Sequence, residues 1–165
     1  MMKNRYKIYT RSAMRIIIYV VPIICLTLVS SCKKKHIRTY DFEHGQWIKE
    51  DTLEFEFNIN DALKKYNLSF FFRNNLNYSY QNLFLLIDLS YDNRIIETDT
   101  VEYRITDKYG QWLGHGLGEI KDNYLMFNEN IVFKKEGVYK ITVRHGMRQN
   151  PLIGVNKFGF KTEQI

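Results

Sequence analysis

The sequence predicts an all-β fold, an antiparallel β-sandwich of jelly-roll or immunoglobulin-like plan, carried as a single domain behind a lipoprotein signal peptide. Three observations carry that expectation. Apolar and polar residues alternate over short stretches, the period of a half-buried strand rather than of a helix. Turn-forming clusters interrupt those stretches at spacings of roughly 8 to 12 residues, as in sandwiches and barrels. Only Asp61-Ala62-Leu63-Lys64-Lys65 suggests a helical turn.

Residues 1–31 stand apart from that domain. Lys3, Arg5, Lys7, Arg11 and Arg15 precede an apolar run over residues 16–29, the layout of an export signal. The run includes Pro22 and is shorter than the roughly 20 apolar residues a spanning helix needs. It closes on Leu28-Val29-Ser30-Ser31-Cys32, a lipobox. The two serines are small enough for a peptidase pocket, and the Cys32 thiol is the nucleophile that takes a diacylglycerol before cleavage; palmitate-type acylation then completes the anchor. Met1 and Met14 both stand as starts, because Met14-Arg15 and the apolar run already make a short signal with the same mature product.

Removing residues 1–31 changes the reading of charge. The chain of 165 residues carries 24 Lys and Arg against 18 Asp and Glu, a formal charge of +6. The signal takes away the five basic residues named above, so the mature protein is near neutral and nucleic acid is excluded as a partner. Cys25 leaves with the signal and Cys32 is spent on lipid, which excludes a disulfide framework and a thiolate metal site. Stability must come from packing, for which 11 Phe, both Trp and the nine of 12 Tyr that lie beyond the signal supply the area.

Residues 32–45 read as the lipidated cysteine and a tether, because residues 33–43 show no sustained period. An extended tether of that length holds a domain on the order of 35 Å from the bilayer. The sandwich domain is assigned to residues 46–165. Leu53, Phe55, Phe57 and Ile59 alternate with Glu54, Glu56 and Asn58; Tyr66, Leu68, Phe70 and Phe72 with Asn67 and Ser69. Val101, Tyr103 and Ile105 form a third alternating run, and Tyr139, Ile141 and Val143 a fourth. Residues 83–89 are almost continuously apolar and predict a strand covered on both faces. Residues 124–127, 131–133 and 155–160 complete the set. The breaks at residues 91–94, 107–110, 134–137 and 149–151 are rich in Asp, Asn, Gly and Pro, which favour turns.

Candidate contact residues are Arg73, Tyr78, Tyr80, Trp112, His145 and Arg148. Arg73, Tyr78 and Tyr80 belong to an Asn-rich connection over residues 73–82, where Arg and exposed aromatics suit a protein or glycan partner. The competing reading is a structural loop. Trp112, with Trp47, suggests either a sugar-stacking platform or core packing. Gly114, Gly116 and Gly118 alternate, and strip one face of side chains so that a neighbouring backbone can approach. His145 and Arg148 follow a strand, but neither a serine in nucleophile context nor a paired-histidine spacing accompanies them. No catalytic residue, metal site or cofactor is assigned.

Trp47 with Asp51, Phe55-Glu56-Phe57, Arg73-Asn74-Asn75 with Tyr78, Gly110-Gln111-Trp112-Leu113-Gly114, and Gly137-Val138-Tyr139 through His145-Gly146-Met147-Arg148 together resemble the gliding-motility lipoprotein GldH family of the Bacteroidota. The resemblance covers nearly all of the mature chain and includes the lipobox. It implies a non-enzymatic lipoprotein of the cell envelope, on the outer membrane, working with other gliding and type IX secretion proteins. A glycan-binding lipoprotein is the alternative. Cys32 is the only functional residue the resemblance carries over. Replacing it, Cys32→Ala, is expected to abolish incorporation of labelled palmitate and leave the precursor uncleaved on a gel.

Overall fold

The computed structural model describes residues 37–165; the signal segment and Cys32 lie outside the described residues. Ten strands follow in chain order: β1 (Ile37–Asp41), β2 (Gln46–Trp47), β3 (Leu53–Ile59), β4 (Lys65–Asn74), β5 (Asn82–Tyr91), β6 (Arg94–Arg104), β7 (Lys121–Val132), β8 (Gly137–His145), β9 (Leu152–Ile153) and β10 (Val155–Gln164). Two four-stranded sheets, ordered β1-β10-β4-β7 and β3-β8-β5-β6, face each other across one core, and the short β2 and β9 pair at one end.

The pairings reveal a single ribbon rolled up. The β5–β6 hairpin turns at Asp92 and Asn93, whose φ values of 52° and 57° suit a two-residue turn matching the strand twist. Outward from that hairpin, β4 pairs with β7, β3 with β8 and β1 with β10, all antiparallel. Rolling the ribbon brings β10 beside β4 and β8 beside β5. This nesting is the jelly-roll plan, so it decides between the two expected architectures.

Alternation places the core. In β3, Leu53, Phe55, Phe57 and Ile59 are buried while the residues between them are exposed. Their rings meet the opposite sheet: Phe55 lies 6.3 Å from Phe158 and 5.8 Å from Phe160, and Phe57 lies 5.9 Å from Phe133. Phe158 also touches Trp47 at 5.0 Å and Phe70 at 5.4 Å. Inter-sheet aromatic contacts of this kind bury large areas and supply the stability that the absent disulfides would otherwise provide.

Three elements differ from expectation, each for a local reason. Residues 37–41, read as tether, form β1 and pair with residues 157–161 of β10. As an edge strand β1 needs to bury little, and Tyr40 is its inward aromatic, its ring 5.3 Å from Phe55; no alternation shows. Residues 124–127 and 131–133, expected as two strands, lie in or beside one long β7 whose register slips opposite Tyr66, Leu68 and Ser69, with Asn130 at φ 56°. The polar Asn128-Glu129-Asn130 interruption is a bulge rather than a loop. In β5, Leu83, Leu85, Ile87 and Leu89 are buried, but Phe84, Leu86 and Asp88 on the other face are only half-buried, because neighbouring side chains and no third layer cover them.

The register also separates two ends. Connections over residues 42–52, 75–81, 105–120 and 146–154 gather at one, called here the far end. The tight turns over residues 60–64, 92–93 and 133–136 gather at the other, where β1 begins and the chain ends, Ile165 N–H donating to Lys65 O at 2.9 Å. Truncating the ring shared by both sheets, Phe158→Ala, is expected to cost about 3–5 kcal/mol, read as a lower denaturant midpoint.

Candidate functional site

The long connections make the far end the candidate site, and aromatic packing holds them. Trp47 in β2 is 0% exposed; its indole N–H donates to Asp51 O at 3.3 Å, closing the loop that follows. Its ring meets His145 edge-on at 5.3 Å. His145, at the end of β8, is likewise 0% exposed, and neither ring nitrogen makes a hydrogen bond with the described residues. Burial holds its pKa below the ordinary imidazole value and Lys49 pushes the same way, while the Trp47 backbone, Glu50 and Asp51 oppose the shift. The imidazole is a neutral packing group, not a general base open to substrate.

Tyr78 is 2% exposed, its hydroxyl donating to Asn82 O at 2.7 Å, and burial raises its pKa. Its ring lies 5.3 Å from Phe72, 6.0 Å from Tyr80 and 6.4 Å from Trp112. The Asn-rich connection is therefore pinned from beneath by the tyrosine expected to face a partner. Gly154, at φ +84°, passes so close that a Cβ there would lie 2.2 Å from Tyr78 N. Tyr80 and Trp112 are half-buried against this cluster. With Trp47 in the core, the two tryptophans do not form a sugar-stacking face.

Arg73 lies elsewhere, on the outer face of the β4–β7 pair. Its Nε donates to Asp122 Oδ1 at 2.6 Å and its Nη2 to Asp122 Oδ2 at 2.7 Å, with the guanidinium 5.4 Å from the Phe71 ring. The hydrogen bond to Asp122 raises the Arg73 pKa. This cross-strand bidentate pair occupies the charge that a ligand would use. Arg148 is exposed in the connection after β8, which also holds a cis Asn150-Pro151 peptide, and makes no ion pair among the described residues.

The glycine run 114–118 is a loop rather than a strand. His115 pairs with Asp122 through N–H···O bonds of 3.0 and 2.7 Å, and Leu113 N–H donates to Ile105 O at 2.9 Å. A Cβ at Gly116 would lie 2.2 Å from Ile120 O, which supports the close-approach reading of this residue. The fold leaves the tip unpacked: Leu117 is 96% exposed, and Tyr109, Leu113, Leu76 and Ile48 are also exposed at this end. Sequence reasoning missed these apolar tips. The readable signal was Leu117 between two glycines, which has no neighbouring side chain to pack against.

The candidate residues thus divide into core (Tyr78, His145), half-buried support (Tyr80, Trp112), a paired outer-face arginine (Arg73) and one free far-end cation (Arg148). Among the described residues no three His, Cys, Asp or Glu side chains gather as metal ligands would. The chemistry the far end offers is contact through exposed apolar loop tips.

Residues 36–162 match the GldH lipoprotein family. The gliding motility lipoprotein GldH homolog of Christiangramia forsetii is 36% identical over 162 residues, spanning 93% of this chain and 98% of its own. Gliding motility lipoprotein GldH of Flavobacterium johnsoniae is 32% identical over 145 residues, spanning 83% of this chain and 90% of its own. Among solved structures, the infectious bursal disease virus VP2 subviral particle aligns with 80% of this chain at 15% identity and a TM-score of 0.34; this chain spans only 32% of that one.

The neutral His145 gives a stability profile of definite sign. Its folded pKa lies below the ordinary 6.5, so the unfolded chain binds the proton first as pH falls. Stability is complete above about pH 6.5 and declines below it toward the lowered folded value. His145→Leu is expected to flatten that decline in thermal melts recorded between about pH 7.5 and about pH 5.

Proposed function

The chain belongs to the GldH lipoprotein family, and on that premise we propose that it is a non-enzymatic assembly component of the gliding and type IX secretion machinery, anchored in the outer membrane through acylated Cys32. Each buried methylene of an acyl chain contributes about 0.8 kcal/mol, so several chains make a durable anchor. Confinement to the membrane plane raises the effective concentration toward partners held in the same plane. The partners are other envelope proteins of the apparatus.

One observation carries the partner-binding part of this reading. The four long connections, with their exposed apolar tips, gather at the end of the sandwich opposite the start of β1, from which the chain runs back to Cys32. An anchored domain built this way presents its loops away from its attachment. Loops fixed on a rigid scaffold commonly carry recognition, and exposed apolar side chains at their tips suit a protein partner.

Crosslinked pull-down of the full acylated protein from native envelope is expected to recover gliding or secretion proteins, with Cys32→Ala recovering none. Leu117→Asp combined with Arg148→Glu is expected to lower that recovery at least about tenfold while leaving acylation and the melting temperature unchanged, the scale of losing a few interface contacts. Unaltered motility and adhesin delivery in a deletion strain would sink the proposal.

A further inference from the structure

The turn end of the sandwich has its own surface chemistry, and the length of chain leading to Cys32 decides what that surface meets. Ile37 pairs with Lys161, which pairs with Ser69. From the level of Ser69 to Lys65, the first residue of β4, is four residues, about 13 Å of strand. Cys32 is five residues before Ile37, a span of at most about 17 Å. The leash therefore outreaches the end of the sandwich by only a few ångströms, far less than the roughly 35 Å standoff of a free tether over residues 33–43. With its strands upright, the domain must bring its turn end down to the head groups.

That end is built of two kinds of residue. Leu63, at the tip of the turn over residues 60–64, is 91% exposed, although the turn holding it is well formed: Asp61 Oδ1 accepts from Leu63 N–H at 2.9 Å, and Lys64 N–H donates to Asp61 O at 3.3 Å. Val132, at the end of β7, and Val138, at the start of β8, are exposed at the same end. The same end carries the exposed cations Lys64, Lys65, Arg94, Lys134 and Lys135, against the exposed Asp92 and Glu136. A projecting leucine at an end with an excess of exposed cations, on a leash this short, is complementary to an anionic bilayer surface rather than to bulk water.

We propose that the turn end of the sandwich is a second membrane contact, in which Leu63 enters the interfacial layer and the lysines of the same end rest on anionic phospholipid head groups. The proposal rests on acylation at Cys32. Its consequence is an oriented domain: the fold is held upright at two points, the acylated cysteine and the Leu63 turn, so that the far-end loops are aimed rather than free to tumble.

The test uses the full acylated protein in vesicles of phosphatidylethanolamine and phosphatidylglycerol. Because Cys32 is consumed by lipid and Cys25 leaves with the signal, Leu63→Cys provides a single thiol for an environment-sensitive fluorophore, and Leu117→Cys provides the far-end control. The probe at position 63 is expected to shift to the blue and to be quenched by brominated acyl chains at least about threefold more than the probe at position 117. Lys134→Glu with Lys135→Glu, or vesicles lacking phosphatidylglycerol, are expected to reduce that difference. A protein that floats with the vesicles while both probes report water would overturn this contact and leave the anchor standing. A protein that does not float at all would overturn the anchor and this contact with it.

Discussion

The structure depends on the packing of Phe158 between the two sheets. Its ring contacts Trp47, Phe55 and Phe70, which come from the β2 strand, from the opposite sheet and from the neighbouring strand of its own sheet. A ribbon rolled on itself must bring its last strand back between its first and fourth, and β10 is that strand. Without a large residue facing inward there, the closing strand would be held by backbone hydrogen bonds alone, whose net worth is only about 1 kcal/mol each. The aromatic layer makes the roll close, and it explains how a domain without disulfides retains one core.

Much of this was legible before any coordinates, and the reasons are physical. Residues of β3, β4 and β8 bury one face and leave most of the other exposed or half-buried, so their alternation wrote the sandwich into the sequence. Strand order was not legible, because pairing is a long-range choice that period-two patterns do not encode. β1 was invisible because an edge strand that contributes one inward tyrosine has no pattern to display. β7 looked broken because its bulge sets polar asparagines where continuity was expected. The candidate residues fared according to burial: aromatic type does not separate Tyr78, which pins a loop from beneath, from an exposed contact tyrosine. Arg73 looked available because its partner Asp122 lies 49 residues away in sequence.

The division between the two ends gives the molecule its polarity. Short turns collect where the chain enters and leaves, and long connections collect opposite them. Of the short turns, residues 60–64 and 133–136 cross tightly from one sheet to the other and residues 92–93 close the hairpin, while the wider crossings all fall at the far end. The far end carries the long connections, including residues 105–120, which bond back to the start of β7 through His115 and Asp122. The bonds that order those loops, Tyr78 to Asn82 and His115 to Asp122, are local to that end.

β1 also fixes how the domain would meet mechanical load. The lipid pulls on the start of β1, while anything held by the far-end loops pulls the other way, so the tension runs along the strand. β1 is joined to β10 through the five pairs from Ile37–Lys161 to Asp41–Lys157. Tension parallel to an antiparallel pair strains its cross-strand bonds together, in shear, instead of opening them one at a time from an end. The salt bridge between Lys157 and Asp41, at 2.8 Å, sits at the last rung. A tug between membrane and partner is thus shared across the whole ladder, and the strand that reads as a plain leash in the sequence is the part of the fold that would carry the force.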